Sequence, residues 1–210
     1  MSSLFVTATG TGVGKTHTTL RLIEMLAKRG IIPGVYKPIE TGVERAPHDA
    51  TLLLEACRKV NKNFRSLKPE EITAYTFALP AAPFCADTKH SIEIEYILET
   101  RDKLSMLCDL LLVEGAGGLM VPVTETTMMI DLITLLESKA LLVTPSRLGC
   151  INETLLSIEA LEARKIDFDW CVNLYEEKER FATVTQPFYD TRFPDWWSVE
   201  EGLQRFVDAL

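Results

Sequence analysis

Residues 9–16 read Thr9-Gly10-Thr11-Gly12-Val13-Gly14-Lys15-Thr16, shortly after the apolar run Leu4-Phe5-Val6. Small residues let successive backbone N–H groups turn toward phosphate oxygens, while the lysine reaches the terminal phosphates and the threonine hydroxyl can ligate Mg²⁺. A helix that starts behind such a loop adds favourable partial charge. The stretch departs from the strict pattern because Thr9 stands where glycine is usual, and a glycine-rich hairpin turn is the alternative. We interpret it as a nucleoside triphosphate site in an α/β protein.

Composition narrows the class of protein. The chain has 210 residues, of which 47% are hydrophobic, and this suffices for one well-buried core, so we expect a single domain over residues 1–210. The formal net charge is −8, and the densest basic cluster (Arg58, Lys59, Lys62, Arg65) is typical of a solvated helix face rather than of a nucleic-acid site. No apolar run approaches the ~18 residues of a membrane span, and no signal-peptide pattern opens the chain. We expect a cytoplasmic protein that binds neither nucleic acid nor membrane.

The cysteines are scattered along the chain and form no C-x-x-C pair; they are Cys57, Cys85, Cys108, Cys150 and Cys171. An odd, scattered set indicates reduced thiols rather than a disulfide framework. With only three histidines in the sequence, a zinc site is also disfavoured.

Apolar, β-rich runs alternate with helical patterns along the chain. The predicted strands are residues 4–8, 32–36, 110–113, 140–144 and 168–173, and the predicted helices are 16–29, 49–60, 91–107, 130–137, 151–164 and 198–210. The last helix is marked by Ser198 with Glu201 three residues on, a capping box. Residues 80–83 (Pro-Ala-Ala-Pro) indicate a rigid loop. The alternation predicts an α/β fold with a doubly wound, mostly parallel sheet flanked by helices.

A second strand ends in an acid followed by glycines, in the order Glu114-Gly115-Ala116-Gly117-Gly118. Open α/β sheets bind ligands at the carboxyl ends of their strands, and glycine permits close approach of the backbone to phosphate. We expect Glu114 to ligate Mg²⁺ or to position water, whereas an acid at a solvated strand end is the alternative. Asp109, at the start of the same strand, is interpreted as a cap or a surface charge.

Lys37 and Asp49 follow the next predicted strand. Lys37 would point toward the terminal phosphate, or it would be an ordinary solvated lysine at a strand end. Asp49 opens a helix, where an acid commonly caps the first turn, and its other interpretation is a second metal carboxylate.

Residues 144–153 form a predicted strand-to-helix turn whose amides are able to bind an anion. Cys150 within it suggests a nucleophile, but no histidine lies nearby in the sequence. A buried structural thiol is the favoured interpretation.

Five segments together resemble the dethiobiotin synthetase family of biotin biosynthesis. In the family's order and at about its spacing, they read VTATGTGVGKT from residue 6, GVYKPIETG from 34, YTFALPAAP from 75, VEGAGGLMVP from 113 and RLGCINET from 147. The resemblance runs from the N-terminus to about Asn173, and the remaining residues match poorly. Ala8 and Gly12 also differ from residues common in the family.

The resemblance implies an ATP- and Mg²⁺-dependent ring closure, catalysed by a carbon–nitrogen ligase. CO₂ and 7,8-diaminononanoate (diaminopelargonate) form a carbamate, which ATP phosphorylates to a carbamic-phosphoric anhydride. The second amine then displaces phosphate and closes the cyclic urea of dethiobiotin.

The resemblance also implies roles for individual residues. Catalysis would fall to Lys37, Lys15 and Thr11, and the metal to Thr16, Asp49 and Glu114. The nucleotide would contact Gly12, Val13, Gly14, Lys15, Thr16, His17, Asp49, Glu114, Gly115, Ala116, Gly117 and Asn173. The other substrate would contact Thr11, Lys37, Thr41, Pro80, Gly149, Cys150, Ile151 and Asn152. The amides of the last four would come from the partner subunit of a homodimer and hold the substrate's distant carboxylate.

Two questions stay open at this stage. A P-loop ATPase switch of the partition and septum-positioning class is the alternative function, although Gly10 stands where that class carries an extra lysine. Members of the synthetase family generally clasp adenine with an asparagine, matched by Asn173, and with a later loop that has no counterpart here. We therefore expect weak preference for ATP over GTP or CTP, unless Tyr175 or the Trp196-Trp197 pair stacks on the base.

Overall fold

The structure, a computed structural model, describes residues 3–210. The strands are β1 (Ser3–Ala8), β2 (Pro33–Tyr36), β3 (Ile39–Thr41), β4 (Tyr75–Phe77), β5 (Leu110–Glu114), β6 (Lys139–Pro145) and β7 (Phe168–Asn173). The helices are α1 (Lys15–Lys28), α2 (His48–Val60), α3 (Pro83–Ala86), α4 (Ile94–Ser105), α5 (Met129–Leu135), α6 (Cys150–Ala163), α7 (Lys178–Arg180), α8 (Gln186–Arg192) and α9 (Val199–Ala209). A π-helical turn, Phe181–Thr185, joins α7 to α8.

Five strands form a parallel sheet in the order β2-β5-β1-β6-β7. Its central strands are continuous apolar runs that are buried throughout, as expected for a parallel sheet covered on both faces by helices. The five predicted strands are therefore confirmed, each within two residues, and so is the doubly wound α/β class.

The strand order decides where a ligand can bind. β1 lies between β5 and β6, and the register places Val6 beside Glu114 and Ala8 beside Val143. The loops that leave β1 and β5 therefore emerge side by side at the carboxyl edge of the sheet, where such folds bind ligands. The two glycine-rich segments that were predicted separately, residues 9–16 and 114–118, therefore lie next to each other at this edge of the sheet.

Two parts of the sequence prediction need correction. The predicted helix at residues 91–107 begins only at Ile94, because the N–H groups of Ser91 and Ile92 donate to the Asp87 carboxylate instead of entering the helix. The parallel pair β3 and β4 was not predicted, since each strand has only three residues.

The C-terminal region packs through aromatic side chains. Trp170 of β7 lies edge-to-face against Tyr189 and Phe193, and Phe181 packs against Trp196. The π-helical turn and α8 carry part of this cluster, through Phe181 and Tyr189. Helices α7 and α8 were missed from the sequence because both are short and most of their residues are exposed. Of the capping box predicted for α9, the Ser198 half is confirmed, since the Ser198 hydroxyl accepts the N–H of Glu201.

Across residues 3–210, every helix is too short or too polar to cross a membrane. All five cysteines are free thiols, as the sequence predicted.

Candidate active site

The glycine-rich loop joins β1 to α1 and includes two glycines with a left-handed backbone. Gly12 has φ of +75° and Gly14 has φ of +106°, and Gly14 immediately precedes the first residue of α1. The side-chain amide of Asn173 donates to the carbonyl of Val13 at 2.9 Å, and a Cβ on Gly14 would lie 2.1 Å from its Nδ2. Glycine at position 14 is therefore required both by dihedral angle and by space.

Lys15 lies between the loops that leave β1 and β5. Its Nζ donates to the carbonyl of Gly10 at 3.0 Å and to that of Gly117 at 2.8 Å. Burial, followed by the nearby charge of Lys37, lowers the pKa of Lys15 to about 8. An anion bound here would gain a strong interaction, because the lysine charge has little water around it.

Lys37 is not a solvated strand-end lysine, so that alternative is wrong. Its side chain is 3% exposed, and its Nζ lies 2.8 Å from Oε1 of Glu114, whose side chain is fully buried. Nζ also lies 3.3 Å from Oδ2 of Asp49 and donates to the Gly115 carbonyl at 3.1 Å. Burial alone would lower the pKa of Lys37, but the two carboxylates outweigh it and the pKa lies above its usual value.

Oxygen ligands for a hard cation meet at the same point. The Thr16 hydroxyl donates to Oε1 of Glu114 at 3.0 Å, while Oε2 of Glu114 is buried without a hydrogen-bond partner. Within residues 3–210 there is no group of three or more His, Cys, Asp or Glu side chains that would hold a metal alone. Two carboxylates and a hydroxyl fit Mg²⁺, which is usually bound by few protein ligands together with phosphate oxygens and water. The buried and unpaired oxygen of Glu114 is the observation that favours a cation here.

The sequence analysis missed Glu40. This carboxylate lies on β3, is 6% exposed and accepts the N–H groups of Asp49 and Ala50, each at 2.9 Å. Its position within K-P-I-E-T-G was visible, but no sequence pattern links it to amides nine residues later.

A cavity of about 400 Å³ opens above these charged groups. Its wall combines the glycine-rich loop, the end of β2 with β3, and the loop after β5; the lining residues are Thr11, Gly12, Gly14, Lys15, Thr16, Lys37, Ile39, Glu40, Thr41, Asp49, Ala116 and Gly117. Half of the predicted site residues, ten of twenty, therefore meet around one space.

A smaller cavity of about 170 Å³ lies on the other side of the loop. Thr11 and Gly12 line both cavities, and the other lining residues here are Val13, Pro145, Ser146, Arg147, Asn173, Tyr175 and Glu176. Trp196 and Trp197 line a different cavity, together with residues of α9. Of the aromatic residues proposed to stack on a base, only Tyr175 is therefore placed to do so.

The polar groups of the smaller cavity already contact protein atoms. One guanidinium nitrogen of Arg147 donates to both carboxylate oxygens of Glu153, at 2.8 and 3.0 Å. The Ser146 hydroxyl donates to the Glu176 carbonyl. The sequence analysis gave these side chains no role: Arg147 and Glu153 lie within the RLGCINET segment, but the pattern does not show that they pair with each other.

Several predicted residues lie outside both cavities. Glu114 and Gly115 are buried beneath the larger cavity, and His17 is exposed on the first turn of α1. Pro80 is exposed and lies beside Gly42. A Cβ atom added to Gly42 would lie 3.2 Å from the Cβ of Pro80.

Residues 149–152, at the start of α6, line neither of these two cavities. Gly149 caps the helix with φ of +94°, and the N–H of Cys150 donates to the Arg147 carbonyl at 3.1 Å. Burial raises the pKa of the Cys150 thiol, which agrees with a structural thiol rather than a nucleophile. Within one chain, Gly149, Cys150, Ile151 and Asn152 do not meet the lysines of the larger cavity.

The chain is similar in sequence to proteins that carry a name. Residues 2–172 match the family described as AAA domain. The ATP-dependent dethiobiotin synthetase of Sulfurovum sp. is 67% identical over 210 residues, which cover 100% of both chains. The enzyme of the same name from Wolinella succinogenes is 38% identical over 213 residues, which cover 100% of this chain and 98% of the relative.

Among solved structures, similar folds occur in P-loop ATPases. The MinC:MinD cell division complex of Aquifex aeolicus aligns with a TM-score of 0.55 at 18% identity, covering 100% of this chain and 86% of the other. A ParA family ATPase from Chlorobium tepidum aligns with a TM-score of 0.56 at 11% identity, covering 98% and 90%. At such low identity the likeness shows the fold alone.

Proposed function

The chain belongs to the family of ATP-dependent dethiobiotin synthetases, and we propose that its reacting groups meet in the larger cavity, between Lys15, Lys37 and Thr41. The reaction joins CO₂ to 7,8-diaminononanoate and closes the cyclic urea of dethiobiotin, with ATP converted to ADP and phosphate. It is a step of biotin biosynthesis. The observation that best supports the location is the buried Lys37–Glu114 pair beside Lys15 at the phosphate-binding loop.

The phosphate end of the nucleotide is assigned to the loop amides and Lys15. Helix α1 begins at Lys15, directly after the loop, and the positive end of its dipole favours anions there. Thr16, Asp49 and Glu114 would hold Mg²⁺, which when bound supplies positive charge to the phosphates. This metal assignment is supported by the unpaired Oε2 of Glu114.

The role proposed for Lys37 follows from the requirements of phosphoryl transfer. A carbamate oxygen is a weak nucleophile, so catalysis depends on alignment and on cancelling charge as the phosphoryl group moves. Lys37 is assigned to the transferring phosphoryl group, because it brings a buried ammonium to the edge of the same cavity as Lys15. Thr11 and Thr41 line that cavity and are assigned to hydrogen bonds with the diamine or its carbamate.

After phosphorylation the second amine attacks the carbamate carbon. The new carbon–nitrogen bond closes the ring as the bond to phosphate breaks, and phosphate leaves. The two amines are on adjacent, bonded carbons of one substrate molecule, so this attack is intramolecular, and the cavity would only have to hold the free amine close to the carbamate carbon. Pro80, beside Gly42, is assigned to the apolar chain of the substrate.

A homodimer is the second part of the proposal. The amides of Gly149, Cys150, Ile151 and Asn152 lie away from the cavity of their own chain, so we assign them to the substrate carboxylate bound by a second copy. Leu148 and Leu156, which flank this turn, are 60% and 58% exposed and would supply apolar contact area. Such an arrangement is isologous, because each copy completes the site of the other.

The dimer is tested with Gly149→Ala, since φ of +94° strains an alanine and displaces the amides. We expect a higher KM for the diamine and an unchanged affinity for the nucleotide. Gly30→Ala is the matched control, because Gly30 has φ of +78° at the end of α1 and no atom near its Cβ. Full activity in protein shown by sedimentation to stay monomeric would contradict the shared site.

The overall assignment is tested by mixing the purified protein with diaminononanoate, bicarbonate, ATP and Mg²⁺. We expect dethiobiotin, identified by mass spectrometry, and phosphate released in proportion to it. Phosphate release that ignores the diamine would instead favour an ATPase switch. That alternative is supported only by similarity of fold.

A further inference from the structure

Glu40 is a buried carboxylate in the wall of the larger cavity, and the reaction scheme above gives it no role. It lies on β3, and its two oxygens accept two successive amides at the start of α2, those of Asp49 and Ala50. A carboxylate with 6% exposure and two bonds at 2.9 Å is held firmly in place.

Helix α2 needs such a partner because of its own N-terminus. The first amides of a helix have no acceptor within the helix, and a Ser, Thr, Asp or Asn at the N-cap usually supplies one. The N-cap here is Pro47, whose side chain has no acceptor. Glu40 takes over this function from another strand, and its negative charge also favours the positive end of the helix dipole.

The bonds to Glu40 determine where Asp49 lies. The Asp49 side chain is 36% exposed, and its ion pair to Lys37 is 3.3 Å long, compared with 2.8 Å for the pair between Lys37 and the fully buried Glu114. Asp49 is therefore the less firmly held of the two carboxylates around Lys37. Its position depends on the backbone that carries it, and Glu40 fixes that backbone relative to β3 and the cavity.

We propose that Glu40 is a positioning residue which, by binding the amides of Asp49 and Ala50, holds the Asp49 carboxylate at the metal and phosphate end of the cavity. The inference rests on the proposed role of Asp49 as a metal ligand. Glu40 itself touches neither the phosphates nor the metal in this scheme.

The test uses Glu40→Gln, Asp49→Asn and the double variant. Mn²⁺ replaces Mg²⁺, and its affinity for the enzyme–ADP complex is measured by electron paramagnetic resonance. Supporting partners of metal ligands typically contribute 10–100-fold to affinity, so we expect Glu40→Gln to weaken Mn²⁺ binding about tenfold. In assays, half-saturation by Mg²⁺ should rise by a similar factor, with kcat largely restored at high Mg²⁺.

Asp87→Asn is the matched control. Asp87 is also a buried carboxylate that accepts successive amides before a helix, those of Ser91 and Ile92, but it does not line the larger cavity. We expect this variant to lower the free energy of unfolding in urea, as Glu40→Gln does, and to leave Mn²⁺ affinity unchanged. Glu40→Asp keeps the charge but shortens the reach, and should weaken Mn²⁺ binding in the same direction.

The variant that combines Glu40→Gln with Asp49→Asn shows whether Glu40 acts on the metal through Asp49. If Glu40 acts through Asp49, Glu40→Gln adds less than about twofold to the loss caused by Asp49→Asn. An unchanged Mn²⁺ affinity in Glu40→Gln, with Asp49→Asn clearly weakened, overturns the inference and leaves the metal assignment standing. An unchanged affinity in Asp49→Asn overturns the metal assignment, and the role of Glu40 fails with it.

Discussion

The two cavities beside the glycine-rich loop are built differently; we assign the larger to the phosphate end of the nucleotide and the smaller to the base end. At the phosphate end, Lys15, Lys37 and Glu114 are buried and contact one another or the loop carbonyls. At the base end, Tyr175 is 83% exposed, and Arg147 is paired with its neighbour Glu153. Electrostatic interactions are stronger where water is excluded, so the difference implies that the phosphate end carries most of the binding and catalysis.

Lys37→Ala should show the largest effect. Loss of one charge-stabilising group typically costs ~10²–10³ in rate, so we expect kcat to fall by this factor while ATP affinity changes only a few fold. Rapid-quench or steady-state assays at saturating Mg²⁺ measure kcat, and circular dichroism checks folding. Arg147→Ala at the base end should keep kcat within about tenfold. Near-normal turnover in Lys37→Ala would remove the distinction between the two ends.

Gly14→Ala tests the contact between the glycine-rich loop and Asn173, which joins the two ends. An alanine at φ of +106° is strained and its Cβ would lie 2.1 Å from the Asn173 amide, so we expect the free energy of unfolding to fall. Strained backbone of this kind costs about 1–3 kcal/mol. Urea unfolding measures it, with Gly30→Ala as the control for backbone strain alone. In an Asn173→Ala background, Gly14→Ala and Gly30→Ala should lower the free energy of unfolding by similar amounts. Equal losses in the presence of Asn173 would show that Asn173 does not constrain position 14.

The proton uptake of Lys15 on ADP binding offers a test of the phosphate end. Because burial lowers its pKa to about 8 in the nucleotide-free protein, Lys15 is mostly neutral above that pH. Bound phosphate favours the ammonium and raises the pKa, so ADP binding at about pH 8.5 should take up a fraction of a proton. Calorimetry in buffers of different ionisation enthalpy measures this uptake, which Lys15→Met should abolish. Uptake that persists in the variant would assign the proton to another group.

Base selectivity should give the smallest effect. Strong discrimination requires buried polar groups that the wrong base leaves unpaired, and the polar groups of the smaller cavity are already bonded to protein. We predict that kcat/KM for ATP exceeds the values for GTP and CTP by less than ~100-fold, about 2.7 kcal/mol. A larger preference would show that the base end recognises adenine, and Tyr175→Ala would then identify whether stacking is responsible.

The same contrast explains what the sequence predicted. The loop from Thr9 to Thr16, with Lys37 and Glu114, could be recognised because short contiguous patterns encode a strand end and the backbone that follows it. Glu40 was missed because its partners lie on another element, and only the folded chain brings β3 against the start of α2. The start of α4 was misplaced for a similar reason, since the Asp87 carboxylate competes for the amides. Residues 149–152 remain a prediction, because their role requires a second chain.

The central position of β1 has a consequence for synthesis. β1 pairs with strands that are translated much later, since Leu4 lies beside Leu112 of β5 and Lys139 of β6. The Ser3 hydroxyl also donates to the Leu136 carbonyl, 133 residues further along the chain. Contacts of such long range slow folding, and an unpaired apolar strand is prone to aggregate until its partners exist. We expect the glycine-rich loop, although translated before β5 and β6, to acquire its shape only when these two strands enclose β1. A nascent chain that stops before β6 therefore carries the complete motif without the ability to hold a nucleotide.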